Sequence, residues 1–314
     1  MTAAFVFPGQ GSQAVGMGKA LAEAFAPARA VFDEVDAALG EKLTATMWDG
    51  PADKLTLTEN AQPALMAVSL AAMRVLEAEA GVDLERDAQF VAGHSLGEYS
   101  ALAAAGAFTI TDTAKLLRIR GRTMQQAVPV GTGAMAALLG LELDAATEVA
   151  AEAAQGEVCQ VANDNGGGQV VVSGNKLAVE RAVEIAKAKG ARRAMMLQVS
   201  APFHCALMKP AADAMAEALG KTDVKIPIVP VVANVLAKPV SDPQEIARRL
   251  VEQVTGTVRW RECAAFMAGQ GITTFYEVGS GKVLTGLLKR IADGATGTAV
   301  GTPDDVAAFR ATRQ

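Results

Sequence analysis

The sequence predicts an α/β protein with a mostly parallel sheet, interrupted by a small inserted unit. Three observations predict it. Short apolar runs alternate with longer stretches of helical periodicity through most of the 314 residues, as when strands are covered on both faces by crossover helices. One such run, Phe90-Val91-Ala92, leads directly into Gly93-His94-Ser95-Leu96-Gly97 and then a helical run, Tyr99 to Ala105. Between residues 131 and 199 the rhythm changes to strand, helix, strand, strand, helix, strand.

Taken in order, Ala3 to Phe7 is a short apolar strand, Pro8 to Gln13 a glycine loop, and Ala14 to Phe25 a helix. Pro27 to Leu39 is helical, as is Ala61 to Ala80, where Pro63 lies near the tolerated start. The strand before Gly93 and the helix after Gly97 place Ser95 on a sharp turn, the context of a nucleophile elbow and of an α/β-hydrolase-like core. Gly106 is a plausible stop, and Thr111 or Asp112 opens a helix to about Ala127. Pro129, Gly131 and Gly133 mark a boundary. Strands Ala134–Leu139, Val158–Ala162, Gln169–Ser173 and Ala194–Val199, with helices Asp144–Ala154 and Lys176–Lys189, give βαββαβ, the ferredoxin-like order. The expected organisation is therefore a catalytic domain from 1–130 and 200–314 with a small domain, 131–199, inserted in it. Asn163 to Gly168 reads as a mobile loop or, more sharply, a rim of the active site. After Pro202 come a helix from Ala206 to Leu219, a proline-bounded strand from Lys225 to Val232, helices Pro243–Val254 and one ending near Gly269, and a final strand, Ile272–Val278.

Composition removes several classes of function. The chain is 51% hydrophobic with net charge −5 and no basic cluster, which argues against a nucleic-acid partner. No apolar run approaches a membrane span, and the first residues lack the basic and apolar regions of a signal peptide. Cys159, Cys205 and Cys263 show neither a disulfide framework nor metal spacing, so a cytoplasmic, reduced protein without metal is expected. Gly9, Gly11 and Ala14 match a dinucleotide fingerprint, but Asp33 and Glu34 fall inside a helix rather than at a strand end. Gly279-Ser280-Gly281-Lys282 fails the P-loop pattern. No cofactor is expected. With no heptad or exposed repeat, a monomer is the default.

A serine is a weak nucleophile until a base takes its proton. His94 and His204 are the only histidines. Neighbouring side chains on an elbow point apart, so His94 is expected to pack under the turn. His204 lies at a strand-to-helix loop of the same domain, where open α/β sheets place their ligands, and is the better base. No acidic residue declares itself as a third member, and a backbone carbonyl can orient the imidazole instead. In the helix after Thr111, Arg120 shares one stripe with Thr113, Leu116, Leu117 and Met124, while Arg118 and Arg122 fall opposite. A core-facing guanidinium needs negative charge, either an internal carboxylate or a substrate's; helix geometry leaves both open.

Phe7-Pro8-Gly9-Gln10-Gly11-Ser12-Gln13, Gly93-His94-Ser95-Leu96-Gly97-Glu98, Arg120 before Gly121, and Ala201-Pro202-Phe203-His204 together resemble the malonyl-CoA:acyl-carrier-protein transacylases, free-standing bacterial acyltransferases. The resemblance runs nearly the whole length, including the inserted unit. It implies that Ser95 is acylated, that His204 is its base, and that the main-chain N–H groups of Gln10 and Leu96 form the oxyanion hole. It implies that Arg120 holds the malonyl carboxylate and that the main-chain carbonyl of Gln253 orients His204. Gln62 would be a further pocket residue, and Phe203 the bulky side chain that goes with malonyl over branched acyl groups. Malonyl-CoA and the phosphopantetheine arm of acyl carrier protein are the implied partners, in ping-pong transfer that supplies extender units for fatty-acid synthesis. Thr257-Val258-Arg259-Trp260 departs from the Pro-Val-x-Trp of many relatives, and the glycines Gly166 to Gly168 are unusual.

Two other functions use the same features. A thioesterase or esterase would pass the acyl group to water, though it has no use for a cation such as Arg120 in its acyl pocket. A noncatalytic docking subunit for carrier proteins would not need the Ser95/His204 pair.

Overall fold

The computed structural model describes residues 3–313. Met1 and Thr2, which begin the stretch read for a leader and the expected segment 1–130, lie outside the described residues, as does Gln314 at the end of 200–314. Among the described residues ten strands form two sheets: β1 (Ala3–Phe7), β2 (Ala88–Gly93), β3 (Gly133–Leu139), β4 (Cys159–Asp164), β5 (Gln169–Asn175), β6 (Arg193–Met196), β7 (Val231–Ala233), β8 (Lys238–Val240), β9 (Thr274–Val278) and β10 (Thr296–Val300). The larger sheet has the order β10-β9-β1-β2-β7-β8 and is parallel except for the edge hairpin β7–β8.

The central strand explains why the sheet is covered twice. All five residues of β1 are buried, and because side chains alternate along a strand, Ala3, Phe5 and Phe7 enter one core while Ala4 and Val6 enter another. The first core is closed by helix Thr58–Ala80, whose residues from Thr58 to Met73 are buried apart from Glu59. The second is built around Trp260, Met267 and Phe275.

The smaller sheet, β4-β5-β3-β6, is antiparallel throughout and packs its own apolar face against helices Leu143–Ala154 and Lys176–Ala188. It is tied to the larger sheet's surroundings at the end of β4. There the Val258 N–H donates to the Ala162 carbonyl at 2.9 Å, and the Asp164 N–H to the Val258 carbonyl at 3.0 Å.

Several sequence expectations change. The helix after the glycine loop starts at Lys19, not Ala14, because Gly16 and Gly18 take positive φ (92° and 76°). The strand expected over Lys225–Val232 pairs only at Val231–Ala233. Pro227 and Pro230 lack the N–H a ladder needs, and the segment instead lies along residues 105–107, with Lys225 and Ile228 donating to the Ala107 and Ala105 carbonyls. Ile272–Val278 does not end the sheet: β9 is followed by β10, whose Thr296-Gly297-Thr298-Ala299-Val300 carries too little apolar character to announce a strand. Nor is Asn163–Gly168 a free loop. Asn163, Asp164 and Asn165 are buried, and Asp164 Oδ2 accepts from Arg261 Nε at 2.7 Å. Finally, Arg118 is buried rather than on an exposed face, because it donates to Asn60 Oδ1 at 2.6 Å and pairs with Glu41.

No described helix is long and apolar enough to cross a membrane. Among the described residues no cluster of His, Cys, Asp or Glu is placed to hold a metal ion.

Candidate active site

β1 and β2 end side by side, Phe7 paired with Gly93, so the loops leaving them meet. The turn at β2 is possible only with glycine. A Cβ on Gly93 would lie 1.9 Å from the Gly97 carbonyl carbon, and one on Gly97 would lie 2.2 Å from the Phe7 oxygen. Ser95 is driven to φ 55°, a strained value for a residue with a side chain. Buried Asn234, just after β7, holds it there. Its Oδ1 accepts from the Ser95 N–H at 2.8 Å and its Nδ2 donates to the Gly93 carbonyl at 2.7 Å.

His204 reaches the serine from the loop after Pro202, also at positive φ (59°). Its Nε2 lies 2.8 Å from Ser95 Oγ, and its Nδ1 lies 2.8 Å from the main-chain carbonyl of Gln253, in helix Pro243–Thr255. A carbonyl only accepts, so Nδ1 carries the proton and Nε2 presents its lone pair to the serine hydroxyl. Burial, and after it the Arg120 charge, pull the imidazole down to about 3, so it is neutral and able to accept a proton across the neutral range.

Arg120, 1% exposed in helix Ile110–Gln126, donates from Nη1 to Gln62 Oε1 at 2.7 Å. Its Nη2 donates to Gln253 Oε1 at 2.9 Å and to Ser95 Oγ at 3.1 Å. No carboxylate touches it among the described residues, its Nε has no partner, and its guanidinium carbon lies 5.7 Å from the Tyr99 ring centre. Gln62 Nε2 donates to Thr58 Oγ1 at 2.9 Å, and that hydroxyl donates to Gln10 Oε1 at 2.8 Å. One buried polar chain thus links the glycine loop to the guanidinium and the serine.

Gly9 brings that loop against the elbow, since a Cβ there would lie 2.6 Å from the His94 oxygen. Among the described residues neither the Gln10 nor the Leu96 N–H donates to a protein acceptor. Free main-chain donors on the two loops that meet here, with a hydroxyl held against a neutral imidazole, can support acyl transfer through a serine ester.

The match to known proteins decides the family. Residues 4–307 match the model of the acyl transferase domain. The chain belongs to the acyl transferase family. It is 48% identical over 305 residues to the malonyl CoA-acyl carrier protein transacylase of Escherichia coli K12, covering 97% of each chain. A crystal structure of an acyl-carrier-protein-S-malonyltransferase from Bartonella henselae superposes with a TM-score of 0.97 at 57% identity, covering 100% of this chain and 99% of that one. A malonyl-transacylase in complex with a type II PKS acyl-carrier protein superposes with a TM-score of 0.96 at 43% identity, covering 99% of this chain and 100% of that one.

Within this acyltransferase, Ser95, His204, Arg120, Gln253 and Gln62 lie in one hydrogen-bonded cluster. Gln10 joins it through Thr58, and Leu96 follows the serine on the elbow. Phe203 is buried in the main core next to His204 in the chain. His94 lies beneath the turn, with Nε2 2.9 Å from Asn165 Oδ1. Sequence reasoning missed Thr58, Asn234 and Glu98. Glu98 carried the same signal as Arg120: it is the lone charge in Gly97–Ala104, a helix buried along its whole length.

Proposed function

We propose that the chain transfers the malonyl group of malonyl-CoA, through an ester on Ser95, to the phosphopantetheine thiol of an acyl carrier protein. The observation that carries this reading is Arg120: a buried guanidinium, in direct contact with no carboxylate among the described residues, lying 3.1 Å from the hydroxyl that is to be acylated. A buried charge without a carboxylate in contact favours a substrate that brings one.

Ser95 Oγ attacks the thioester carbon as His204 Nε2 takes its proton. The oxyanion of the tetrahedral intermediate accepts from the Gln10 and Leu96 N–H groups. The carbon–sulfur bond breaks, and CoA leaves as a thiol with the proton from His204. The carrier's thiol then attacks the ester, giving its proton to His204, and Ser95 leaves with that proton. Gln253 orients the imidazole through its main-chain carbonyl, Gln62 orients Arg120, and Phe203 narrows the acyl pocket. The larger sheet and its helices are read as an α/β-hydrolase-like catalytic domain, 1–130 and 200–314. The unit 131–199 is read as a ferredoxin-like insertion, supported by its element order and its β4-β5-β3-β6 antiparallel pairing. Because one chain supplies every residue named, the enzyme is read as working as a monomer.

The test is the intact mass of the protein after brief exposure to malonyl-CoA alone. One added malonyl group, absent from Ser95→Ala, is the expected result; no adduct, or an equal adduct on the variant, refutes it. Free malonate accumulating without carrier protein would identify a hydrolase instead.

A further inference from the structure

Glu98 is 2% exposed, and its Oε2 accepts from the Asn234 N–H at 2.9 Å and from Gln253 Nε2 at 2.8 Å. The other end of the same carboxamide, Gln253 Oε1, accepts from Arg120 Nη2. The charges fix this orientation, since a flipped amide would set its NH₂ against the guanidinium and its oxygen against the carboxylate. A negative charge, an aligned dipole and a positive charge therefore stand in series, ending 3.1 Å from the nucleophile.

We propose that Glu98 is the resident counter-charge of Arg120, acting through the Gln253 carboxamide, and that it sets how strongly the acyl pocket prefers a carboxylated acyl group to a neutral one. The proposal rests on the malonyl-transfer reading of the site. Glu98 contacts neither acyl group nor thioester; it is a positioning residue. Its charge partly satisfies the guanidinium when the pocket is empty and opposes the malonyl carboxylate when the pocket is full. A clamp without that opposition would hold malonyl-Ser95 more tightly and give it up to the carrier more slowly.

The other titratable groups acting on Glu98 are Arg120 from helix Ile110–Gln126, Cys263 from helix Trp260–Gly269, and Tyr99 beside it. Burial pushes the Glu98 carboxyl up to about 7, against the Asn234 N–H, the Gln253 amide and Arg120, which pull it down. The counter-charge is thus present above neutral pH and withdrawn below it.

The experiment measures uptake of malonyl and acetyl groups from their CoA esters, with KM and kcat, for the full chain and Glu98→Gln between about pH 6 and pH 9. Glutamine keeps an oxygen for both N–H donors and removes only the charge. At the alkaline end, Glu98→Gln should lower KM for malonyl-CoA about tenfold, raise the malonyl-to-acetyl ratio by a similar factor, and slow transfer to the carrier. The parent's ratio should rise as pH falls through about 7, while the variant's stays flat. A merely structural role would lower uptake of both acyl groups equally; that result, or a lower ratio, overturns the proposal. Should Glu98→Gln not fold, the parent decides alone, and a flat ratio across the range overturns it. A parent that takes up acetyl but no malonyl, or neither, overturns the malonyl reading and this proposal with it.

Discussion

Among the described residues Arg120 has three hydrogen-bond partners, all neutral: Gln62, Gln253 and Ser95. Its charge also depresses the neighbouring imidazole, second only to burial. Substituting it should therefore act twice. Arg120→Ala removes the proposed partner of the malonyl carboxylate and relieves His204, the proposed base. Uptake of malonyl should fall about 10- to 100-fold, as for a lost hydrogen bond to a charged group, while the acetyl-to-malonyl ratio rises. Competing the two CoA esters for the protein and weighing the adducts measures this. An unchanged ratio would reduce Arg120 to a structural cation.

The elbow is an element whose conformation the backbone itself enforces. Gly93→Ala would push a methyl group against the Gly97 backbone, where no side chain can move aside. The expected cost is about 3 kcal/mol, the upper end for overpacking. Gly220, at the end of helix Lys209–Gly220, has no atom near its missing Cβ, and Gly220→Ala should be close to neutral. Thermal unfolding of the two variants side by side checks the contrast, and equal losses would refute it. Local sterics also decide which elements are legible in the sequence. The strand–glycine–serine–glycine–helix order was legible because local sterics leave few alternatives. The edge hairpin β7–β8 and the strand β10 were not, because three- and five-residue strands of mixed polarity are held by their neighbours rather than by their own pattern.

Across the whole molecule, His204 is buried and neutral, and His94 is half-buried beneath the elbow. His204 is held at about 3 and His94 is also lowered, chiefly by burial in each case. An unfolded chain binds a proton at His204 near 6.5 while the native one does not until about 3, so this site costs stability as pH falls below 6.5, and His94 acts in the same direction. Glu98 works in the opposite sense. Its folded carboxyl titrates at about 7 against 4.5 unfolded, so its contribution is complete below 4.5 and lost as pH rises through 7. Between 6.5 and 4.5 the proton taken up by unfolded His204 is offset by the one held on folded Glu98, leaving only His94 uncompensated. Below 4.5 His204 acts unopposed and is joined by Asp87, which the Arg86 hydrogen bond holds well below the usual carboxylate range. Denaturant midpoints should therefore change little from pH 6.5 to 5 and fall steeply below 4.5. A steep loss already at pH 6 would contradict this balance.

The alternation of strands and helices, the elbow at Ser95, the scarcity of histidine that pointed to His204 and the misplaced charge of Arg120 are all legible in the chain. These are local or periodic properties, written in residues close together in the chain. Tertiary packing sets which groups surround that charge. Thr58 and Gln62 share one helical turn, but Gln253, Asn234 and the Glu98 carboxyl come from other segments, and the hydrogen bonds that join them to Arg120 and to one another carry no periodic trace. It likewise decided that Arg118, opposite Arg120 on the helix, is buried too, because Asn60 and Glu41 approach from other elements. Helical periodicity says which side of a helix a residue is on; packing decides what covers that side.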